Sequence, residues 1–326
     1  MRRLFTLLLV VGLGIGAWLS WSLFTPLTPT GATFVVLRPG YSTRRIAAEL
    51  KHAGVIRSRP AFLVWHYFHS GRSLKAGEYL FEKSADIRAV HARLAAGDIY
   101  VHTVVIPEGF TMFDIANTIQ EAGLGTRNQF LSLARSNTAL IRDIDPEATS
   151  LEGYLFPDTY EFTHSQKLDD MVREMVMRFR KEAATVGLSA NVHRVVTMAS
   201  IVEKETAVPA ERPKVASVYY NRLEKRIRLD ADPSLIYAKL LDGTYDGGLH
   251  RGDTQNASAY NTYRHLGLPP GPVANPGRSA LEAAIHPAIS DFYYFVSDGN
   301  GHHRFAHSLE EHNRNVAALR KVMQSR

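Results

Sequence analysis

Apolar residues follow three different patterns along the chain, and each pattern predicts a different kind of structure. Residues 4–24 contain no charged side chain, and a helix of that length spans about 31 Å, enough to cross a lipid bilayer. Between residues 33 and 149, short apolar runs alternate with amphipathic segments of helical period, which predicts small α+β units. From residue 150 onward, helical periods separated by long loops dominate. The predicted fold class is therefore α+β: a single N-terminal transmembrane helix, a small α+β region, and a mainly helical domain with a small sheet.

The N-terminal apolar segment has the charge pattern of a membrane anchor. Arg2 and Arg3 precede it, and positive flanks stay in the cytoplasm, so the rest of the chain is expected outside the inner membrane. A cleaved signal peptide is the alternative, because Ser20 and Ser22 resemble a small-x-small cleavage site, but the apolar run is long for one. The predicted segments are a cytoplasmic tail at 1–3, a transmembrane helix at 4–24 and a linker at 25–32.

Residues 33–149 contain a weak internal repeat. The motif LRPGYS at 37–42 recurs 69 residues later as IPEGFT at 106–111, and apolar residues follow both copies at matching positions. Each copy predicts a strand, a glycine turn, a Ser or Thr N-cap, and a short amphipathic helix ended by glycine. A further helix is predicted at 61–70 and a strand at 78–81. Such units resemble LysM-type glycan-binding modules, and a plain structural domain is the alternative.

Residues 150–326 are predicted to form a second, mainly helical domain. Capping residues mark where its elements begin: Asp232 is expected to be the N-cap of one helix, and Ser308 the N-cap of the last. The predicted helices cover 169–184, 192–206, 213–226, a segment from 232, 281–284 and a segment from 308, with a strand at 292–296 and a loop or edge strand at 152–160.

Two glutamates end an otherwise apolar helical segment. Glu203 and Glu205 follow the run VVTMAS, and a carboxyl group pressed against apolar neighbours keeps its proton at neutral pH, as a general acid must. At about 100° per residue the two side chains point to different sides of the helix, so they are not expected to work as a pair. The apolar stripe passes slightly closer to Glu205. The spacing alone leaves both as candidates, with a solvated helix end as the alternative.

A loop rich in tyrosine and proline offers groups that bind sugars. Tyr260 and Tyr263 can stack on sugar rings, and Asn261 and Thr262 can hydrogen-bond to hydroxyl groups. The stiff sequence GLPPGPVANPG at 267–277 follows them. The alternative is a rigid surface turn in which the tyrosines pack against protein.

Other candidate chemistries fail on spacing. His302, His303 and His307 suggest a metal site, but they precede the predicted helix start and so share no helical face. Ser200 and Lys204 are spaced SxxxK, whereas serine acyl-enzymes of the penicillin-binding type use SxxK. We expect no metal ion and no cofactor.

Composition narrows the class of partner. The chain has 38 Lys and Arg against 32 Asp and Glu, a net charge of +6, and no cysteine, which excludes disulfides and thiol chemistry. The positive excess suits a protein near anionic lipid or an acidic polymer. No stripe of basic and aromatic residues indicates nucleic acid, so no nucleic-acid partner is expected.

Five motifs in order resemble the YceG-like family of endolytic murein transglycosylases, over about residues 30–326. They are EGYLFPDTY, ASIVEKET, DPSLIYA, AYNTYRHLGLPPGPVANPG and YYFVSDGNGHHRFAHSLEEHN, and the N-terminal anchor matches as well. The resemblance implies a single-pass inner-membrane protein whose catalytic domain, 150–326, cuts peptidoglycan glycan strands internally, between N-acetylmuramic acid and N-acetylglucosamine. The product would end in 1,6-anhydro-N-acetylmuramic acid, and no water would be consumed. A LysM-like subdomain and work near peptidoglycan synthases are implied too.

The resemblance also assigns residues. The family's catalytic glutamate is the second acid of its ExE pair, which is Glu205 here. One glutamate suffices because the substrate's own C6 hydroxyl can attack the anomeric carbon: neutral Glu205 would protonate the leaving oxygen and then take the proton of that hydroxyl. The residues expected to position the sugar are Tyr260, Asn261, Thr262 and Tyr263, with Glu203, Asn221 and Ser234 behind them.

Two other functions fit parts of this pattern. A lysozyme-like hydrolase would pair Glu205 with Asp230 or Asp232, and the new end of its product would be about 18 Da heavier than an anhydro end. A membrane-anchored glycan-binding scaffold for peptidoglycan synthases would bind peptidoglycan without cutting it.

Overall fold

The structure is a computed structural model that describes residues 2–324. Helices predominate in this part of the chain, and small two-stranded sheets accompany them, so the predicted α+β class is confirmed. The helices are α1 (Arg2–Phe24), α2 (Thr43–His52), α3 (Arg59–Phe68), α4 (Ile87–Ala96), α5 (Met112–Glu121), α6 (Arg127–Ser136), α7 (Leu168–Thr185), α8 (Val192–Glu205), α9 (Arg212–Glu224), α10 (Asp232–Asp242), α11 (Arg278–Ile285) and α12 (Leu309–Gln324). The strands are β1 (Thr33–Leu37), β2 (Gly77–Phe81), β3 (His102–Val105), β4 (Thr159–Phe162), β5 (Tyr294–Ser297) and β6 (His303–Ala306).

The chain divides into two compact units. Unit 1 comprises the residues up to 103 together with 161–166, and unit 2 comprises 104–160 and the residues from 167 onward. The boundary predicted between residues 149 and 150 divides the chain by function, into a glycan-binding part and a catalytic part. That functional boundary stays a prediction.

Unit 1 begins with α1, which is long and apolar enough to cross a membrane and which contains the predicted transmembrane segment. A single-pass anchor and a signal sequence share these properties. The end of α1 packs on the rest of unit 1, where Leu23 is buried and the ring of Phe24 meets that of Trp65 edge-on at 6.5 Å. In the same unit β1 pairs antiparallel with β2. The hydrophobic core of unit 1 includes Leu37 and Phe62.

The internal repeat appears as two strand–helix–helix–strand sequences. β1, α2, α3 and β2 form the first, β3, α5, α6 and β4 form the second, and in each the two strands pair with each other. Ser42 caps α2 and Thr111 caps α5, each accepting a hydrogen bond from the backbone N–H three residues on. Gly54 and Gly123 end these first helices, both with φ of +71°, which glycine adopts without strain. Glycan binding by either copy stays a prediction.

The centre of unit 2 is α8, which packs against α9, α10 and α11. Its sequence explains this place, because apolar or small residues cover every side of its middle turns rather than one stripe. The residues of α8 that are fully buried are Val196, Thr197, Met198, Ala199, Ser200, Ile201 and Val202. Near the C-terminus of the chain, β5 and β6 form an antiparallel hairpin on which α12 packs.

The predicted limits of the helices in unit 2 agree with the observed ones within three residues. One prediction was wrong in detail: Asp232 is the first residue of α10 and Ala231 is its N-cap, because the Asp232 carboxylate accepts a hydrogen bond from Tyr263 instead. The segment 152–160 is mainly turns, and only its last two residues belong to β4.

A buried carboxyl group joins three segments of unit 2. Glu152 accepts hydrogen bonds from the backbone N–H of Met112, at 2.9 and 3.0 Å to its two oxygens, and from Asn275 Nδ2 at 2.7 Å. Asn275 Oδ1 in turn accepts hydrogen bonds from the backbone N–H groups of Gly153 and Leu155. Burial raises the pKa of Glu152 to about 8, against the hydrogen bonds that lower it. The carboxyl group is therefore mostly protonated at neutral pH.

Glu152→Gln is expected to flatten the dependence of the stability of unit 2 on pH. Glu152 releases its proton near pH 8 in the folded chain and near 4.5 in the unfolded chain, so only the folded state holds the proton between these values. The free energy of unfolding therefore falls as the pH rises from about 4.5 to about 8, by up to about 1.4 kcal/mol per pH unit. Urea unfolding followed by circular dichroism across this range measures the slope for both proteins. Equal slopes would contradict the account of Glu152.

Candidate active site

Unit 2 contains a cleft of about 360 Å³ whose lining comes from α8, α9, α10, β5 and α12 and from the loops beside them. Both ionisable groups and aromatic rings line it. The lining residues with charged or aromatic side chains are Glu205, Tyr219, Arg222, Asp230, Asp232, Tyr263, Tyr293, Tyr294, Phe295 and His312. Carboxyl groups beside ring faces are the combination that a sugar-binding and acid-catalytic site needs.

Glu205 is the last residue of α8 and lies on the wall of this cleft, partly exposed. The phenol of Tyr219 donates a hydrogen bond to its Oε1 at 2.6 Å. Burial raises the pKa of Glu205 to about 7; the charge of Asp232 adds to the rise, while Tyr219 and Arg222 oppose it. The carboxyl group can therefore hold or release a proton near neutral pH, which suits a general acid that later acts as a base.

Tyr219 is held firmly in the position from which it donates. It lies on α9, is buried, and meets the ring of Phe295 edge-on at 5.7 Å. Burial and the neighbouring Glu205 carboxylate raise the pKa of Tyr219 well above its ordinary value, so it keeps its proton. A fixed donor of this kind orients the carboxyl group of Glu205 and favours its charged form.

The cleft also contains two aspartates. Tyr263 donates a hydrogen bond from its phenol to Asp232 Oδ1 at 2.6 Å, and Arg222 Nη1 lies 3.4 Å from Asp230 Oδ2. Arg222 also donates to the backbone oxygens of Tyr293 and Leu229, which joins the loop before β5 to the loop before α10. Three carboxyl groups therefore reach one cleft, and each has a polar partner from protein: Tyr219 for Glu205, Tyr263 for Asp232 and Arg222 for Asp230.

Glu203 lies outside the cleft, on a different side of α8 from Glu205, as the helical spacing predicts. Its Oε1 is 2.6 Å from Arg212 Nη2, and its Oε2 accepts a hydrogen bond from the backbone N–H of Gly277 at 3.0 Å. Both side chains of the ion pair are only 5% exposed. Because its oxygens are engaged and it is not among the residues that line the cleft, Glu203 joins α8 to α9 and α11 rather than facing a ligand.

Three of the residues expected to position sugar form buried contacts behind the cleft. Thr262 Oγ1 accepts a hydrogen bond from the backbone N–H of Ala231 at 3.0 Å and lies 2.8 Å from Ser234 Oγ. Asn261 donates from Nδ2 to the backbone oxygens of Thr254 and Asn256. Ser234, Asn261 and Thr262 are buried, so they fix the loops that present Asp232 and Tyr263 and do not reach the cleft surface themselves.

Of the remaining residues that were expected to position sugar, Asn221 and Tyr260 form contacts within the protein and Tyr263 lines the cleft. Asn221 donates from Nδ2 to the backbone oxygens of Ser290 and Phe292, and so fixes the approach to β5. Tyr260 packs against Tyr237 with ring centroids 5.0 Å apart, away from the cleft lining. Tyr263 is the member of the predicted loop that lines the cleft beside Glu205.

Sequence reasoning missed much of the cleft, including Tyr219, Arg222, Tyr294, Phe295 and His312. Tyr219 lies 14 positions from Glu205, and nothing local marks the two as partners. The strand at 292–296 was predicted, but its aromatic residues were not assigned to a site. A weak signal existed: four aromatic residues follow one another at 292–295, and aromatic side chains are typical of sugar-binding surfaces.

Comparison with known proteins identifies the family. The model of the YceG-like family matches residues 35–318, which includes every residue of the cleft. The chain belongs to the YceG-like family. The endolytic murein transglycosylase of Bacillus subtilis (strain 168) is 33% identical over 315 residues, covering 90% of this chain and 87% of that protein. That of Streptococcus pneumoniae is 30% identical over 314 residues, covering 85% of this chain and 56% of that protein.

A solved structure places the fold in the YceG-like family as well. A YceG-like protein from Listeria monocytogenes aligns with a TM-score of 0.58 and 31% sequence identity, over 87% of this chain and 98% of that chain. Membership of the YceG-like family confirms the resemblance found from the five sequence motifs.

Proposed function

We propose that this protein is an endolytic murein transglycosylase: a lyase that cuts peptidoglycan strands internally, between N-acetylmuramic acid and N-acetylglucosamine. Its general acid and base is Glu205. The observation that carries the proposal is the position of Glu205 on the wall of an aromatic cleft, where it accepts the Tyr219 hydrogen bond and where burial raises its pKa to about 7. It gains support from relatives that are named endolytic murein transglycosylase and that align over most of this chain.

The proposed reaction needs one protein carboxyl group and no water. Neutral Glu205 gives its proton to the glycosidic oxygen as the bond from that oxygen to the anomeric carbon breaks. The C6 hydroxyl of the same N-acetylmuramic acid then forms the new bond to the anomeric carbon, and Glu205 takes the hydroxyl proton. The products are a strand with a 1,6-anhydro-N-acetylmuramic acid end and a strand with a free N-acetylglucosamine C4 hydroxyl, and the enzyme is restored.

The rings around Glu205 supply a surface for the sugars. Tyr263 lines the cleft from its loop. Tyr293, Tyr294 and Phe295 line it from β5 and from the residue before that strand. Sugar rings have apolar faces that stack on such side chains. The phenol oxygen of Tyr263, whose proton is donated to Asp232, can accept a hydrogen bond from a sugar hydroxyl. In this proposal Tyr263 contacts substrate, whereas Asn221, Ser234, Tyr260, Asn261 and Thr262 position the loops.

Tyr219→Phe is expected to move the alkaline limb of the pH profile of kcat/KM to higher pH. The acid must be protonated, so activity falls as the pH rises through the pKa of Glu205, about 7. The Tyr219 hydrogen bond lowers that pKa, and its loss raises it. Rates of strand cleavage measured from about pH 5 to about pH 9 give the limb for both proteins. A limb that stays or moves to lower pH would contradict the role of Tyr219.

A hydrolase is a second candidate that one observation favours: Asp230 and Asp232 line the same cleft as Glu205. Either could serve as the second carboxylate of a lysozyme-like site. Against this, Asp232 already accepts the Tyr263 phenol, and Asp230 faces Arg222. These partners hold the aspartates in place but also occupy oxygens that a nucleophile or a base for water would use.

The remaining parts of the chain complete the proposal. Residues 4–24 form a single-pass anchor in the inner membrane, with 1–3 in the cytoplasm, 25–32 as the linker, and the catalytic domain, 150–326, outside. The region 33–149 is a LysM-like glycan-binding region, supported by the paired strand–helix–helix–strand order of both repeats. Peptidoglycan synthases are the proposed neighbours.

The mass of the new glycan ends tests the function. The full-length chain in detergent is incubated with peptidoglycan, and the masses of the soluble fragments are measured by mass spectrometry. The lengths of the fragments are measured early in the reaction. Anhydro ends on fragments of many lengths are expected from an endolytic transglycosylase. Ends about 18 Da heavier would make the protein a hydrolase. Binding to peptidoglycan without any fragments would make it a scaffold.

A further inference from the structure

Unit 1 contains a cluster of two histidines and one glutamate that the proposed reaction does not use. Glu78 lies on β2, His102 is the first residue of β3, and His164 follows β4 by two residues. Glu78 Oε2 is 3.2 Å from His102 Nε2 and 2.8 Å from His164 Nδ1. One ligand atom from each side chain lies within 4.8 Å of the other two. We propose that Glu78, His102 and His164 bind a divalent transition-metal ion, for which Zn²⁺ is the probe.

The donor set and its spacing fit such an ion. Two imidazole nitrogens and a carboxylate oxygen are ligands that Zn²⁺ takes at about 2.0–2.2 Å, with water in the remaining position. Two ligands of a tetrahedral ion at those bond lengths lie about 3.4 Å apart. The observed separations from the carboxylate oxygen are 2.8 and 3.2 Å, so small side-chain rotations would open room for the ion. The donors converge on one oxygen instead of being spread over the surface.

The electrostatics of Glu78 also favour a cation. Its side chain is 4% exposed, and its ionic partners among the described residues are the two imidazoles, with no lysine or arginine among them. An isolated buried carboxylate is costly, and a bound cation neutralises it where a neutral imidazole does not. His164 is 38% exposed and gives an ion access from solvent.

A second pair of histidines in the chain provides a contrast. His302 and His303 contact Glu211, but His302 reaches Oε1 and His303 reaches Oε2. These contacts are spread over both carboxylate oxygens, whereas the unit 1 cluster converges on one. Sequence reasoning could not find the cluster in unit 1, because His102 and His164 lie 24 and 86 positions from Glu78.

Binding would cross-link three separate segments of unit 1 in its folded form. An ion that binds the folded state and not the unfolded one raises the apparent stability. All three tryptophans, Trp18, Trp21 and Trp65, are in unit 1, so their fluorescence reports the unfolding of this unit. Zn²⁺ is therefore expected to raise the unfolding midpoint seen by tryptophan fluorescence.

The test uses the untagged full-length chain in detergent, freed of metal with a chelator. Zn²⁺ is titrated in competition with a chromophoric chelator, and the fluorescence midpoint is measured with and without Zn²⁺. The matched variants are His164→Ala, at an exposed position, and His52→Ala, an exposed histidine of unit 1 outside the cluster. Glu78→Gln is the second variant, since it keeps the shape of a buried side chain.

The expected result is one tight equivalent of Zn²⁺ in the wild type and in His52→Ala. His164→Ala and Glu78→Gln should lose it, with affinity at least about tenfold weaker and no rise in midpoint. Circular dichroism of His164→Ala without metal checks that the fold is intact. The proposal is overturned if the wild type binds no tight equivalent, or if a folded His164→Ala binds Zn²⁺ as the wild type does.

Discussion

Glu205→Gln is expected to slow the cleavage of glycan strands by about 10²–10⁴-fold, the range that a positioned general acid and base contributes. The amide has nearly the same shape as the carboxyl group and can still accept the Tyr219 hydrogen bond. It cannot give a proton to the leaving oxygen or take one from the attacking hydroxyl. Folding should be unaffected, so circular dichroism and binding to peptidoglycan should match the wild type.

The matched control is Glu224→Gln, an exposed glutamate at the end of α9 that does not line the cleft. Its cleavage rate should equal that of the wild type. Initial rates for the three proteins are measured from the release of soluble fragments. If Glu205→Gln keeps more than about a tenth of the wild-type rate, Glu205 is not the general acid. Asp230 and Asp232 are then the candidates in the cleft.

Arg212→Ala is expected to cost unit 2 about 3–5 kcal/mol of unfolding free energy, because it leaves the buried Glu203 carboxylate without its charge partner. Burial already raises the pKa of Glu203, while the charge of Arg212 opposes the rise. With Arg212 removed, the Gly277 N–H and the charge of Lys204 still favour the charged form of Glu203, but its ion-pair partner is gone. The double variant with Glu203→Ala should lose less than the sum of the two single losses, because the charge is then absent.

The control for this loss is Arg314→Ala, which breaks an exposed ion pair with Glu310. The side chain of Arg314 is 66% exposed and that of Glu310 is 83% exposed. Such pairs contribute at most about 1 kcal/mol. Urea unfolding is followed by circular dichroism for the whole chain and by tryptophan fluorescence for unit 1, which holds all the tryptophans. Equal losses for Arg212→Ala and Arg314→Ala would contradict the structural role of the Arg212–Glu203 pair.

Elements with local signals could be predicted from the sequence. The repeat follows from glycine turns and from Ser42 and Thr111, whose hydroxyl groups cap helices through bonds three residues away. α8 follows from its apolar run, and the different directions of Glu203 and Glu205 follow from helical geometry. These features depend on neighbours within about one helical turn, which is the range that sequence patterns describe.

The cleft could be predicted only in part, because it depends on residues that meet across long stretches of chain. The pattern at 259–263 indicates sugar-binding chemistry, yet Asn261 donates to the backbone oxygens of Thr254 and Asn256 in its own loop. Thr262 accepts a hydrogen bond from the backbone N–H of Ala231, 31 positions earlier in the chain. The ring that does line the cleft, Tyr263, has the same local signal as Tyr260, which does not. Only tertiary packing separates these two tyrosines.

The most direct test of the account is cleavage of peptidoglycan in water enriched in heavy oxygen, by the full-length wild type and by Glu205→Gln. The wild type is expected to give anhydro ends without heavy oxygen, because the C6 hydroxyl and not water attacks the anomeric carbon. Glu205→Gln is expected to give almost no new ends in the same time. Reducing ends that carry heavy oxygen, or anhydro ends formed equally fast by both proteins, would contradict it.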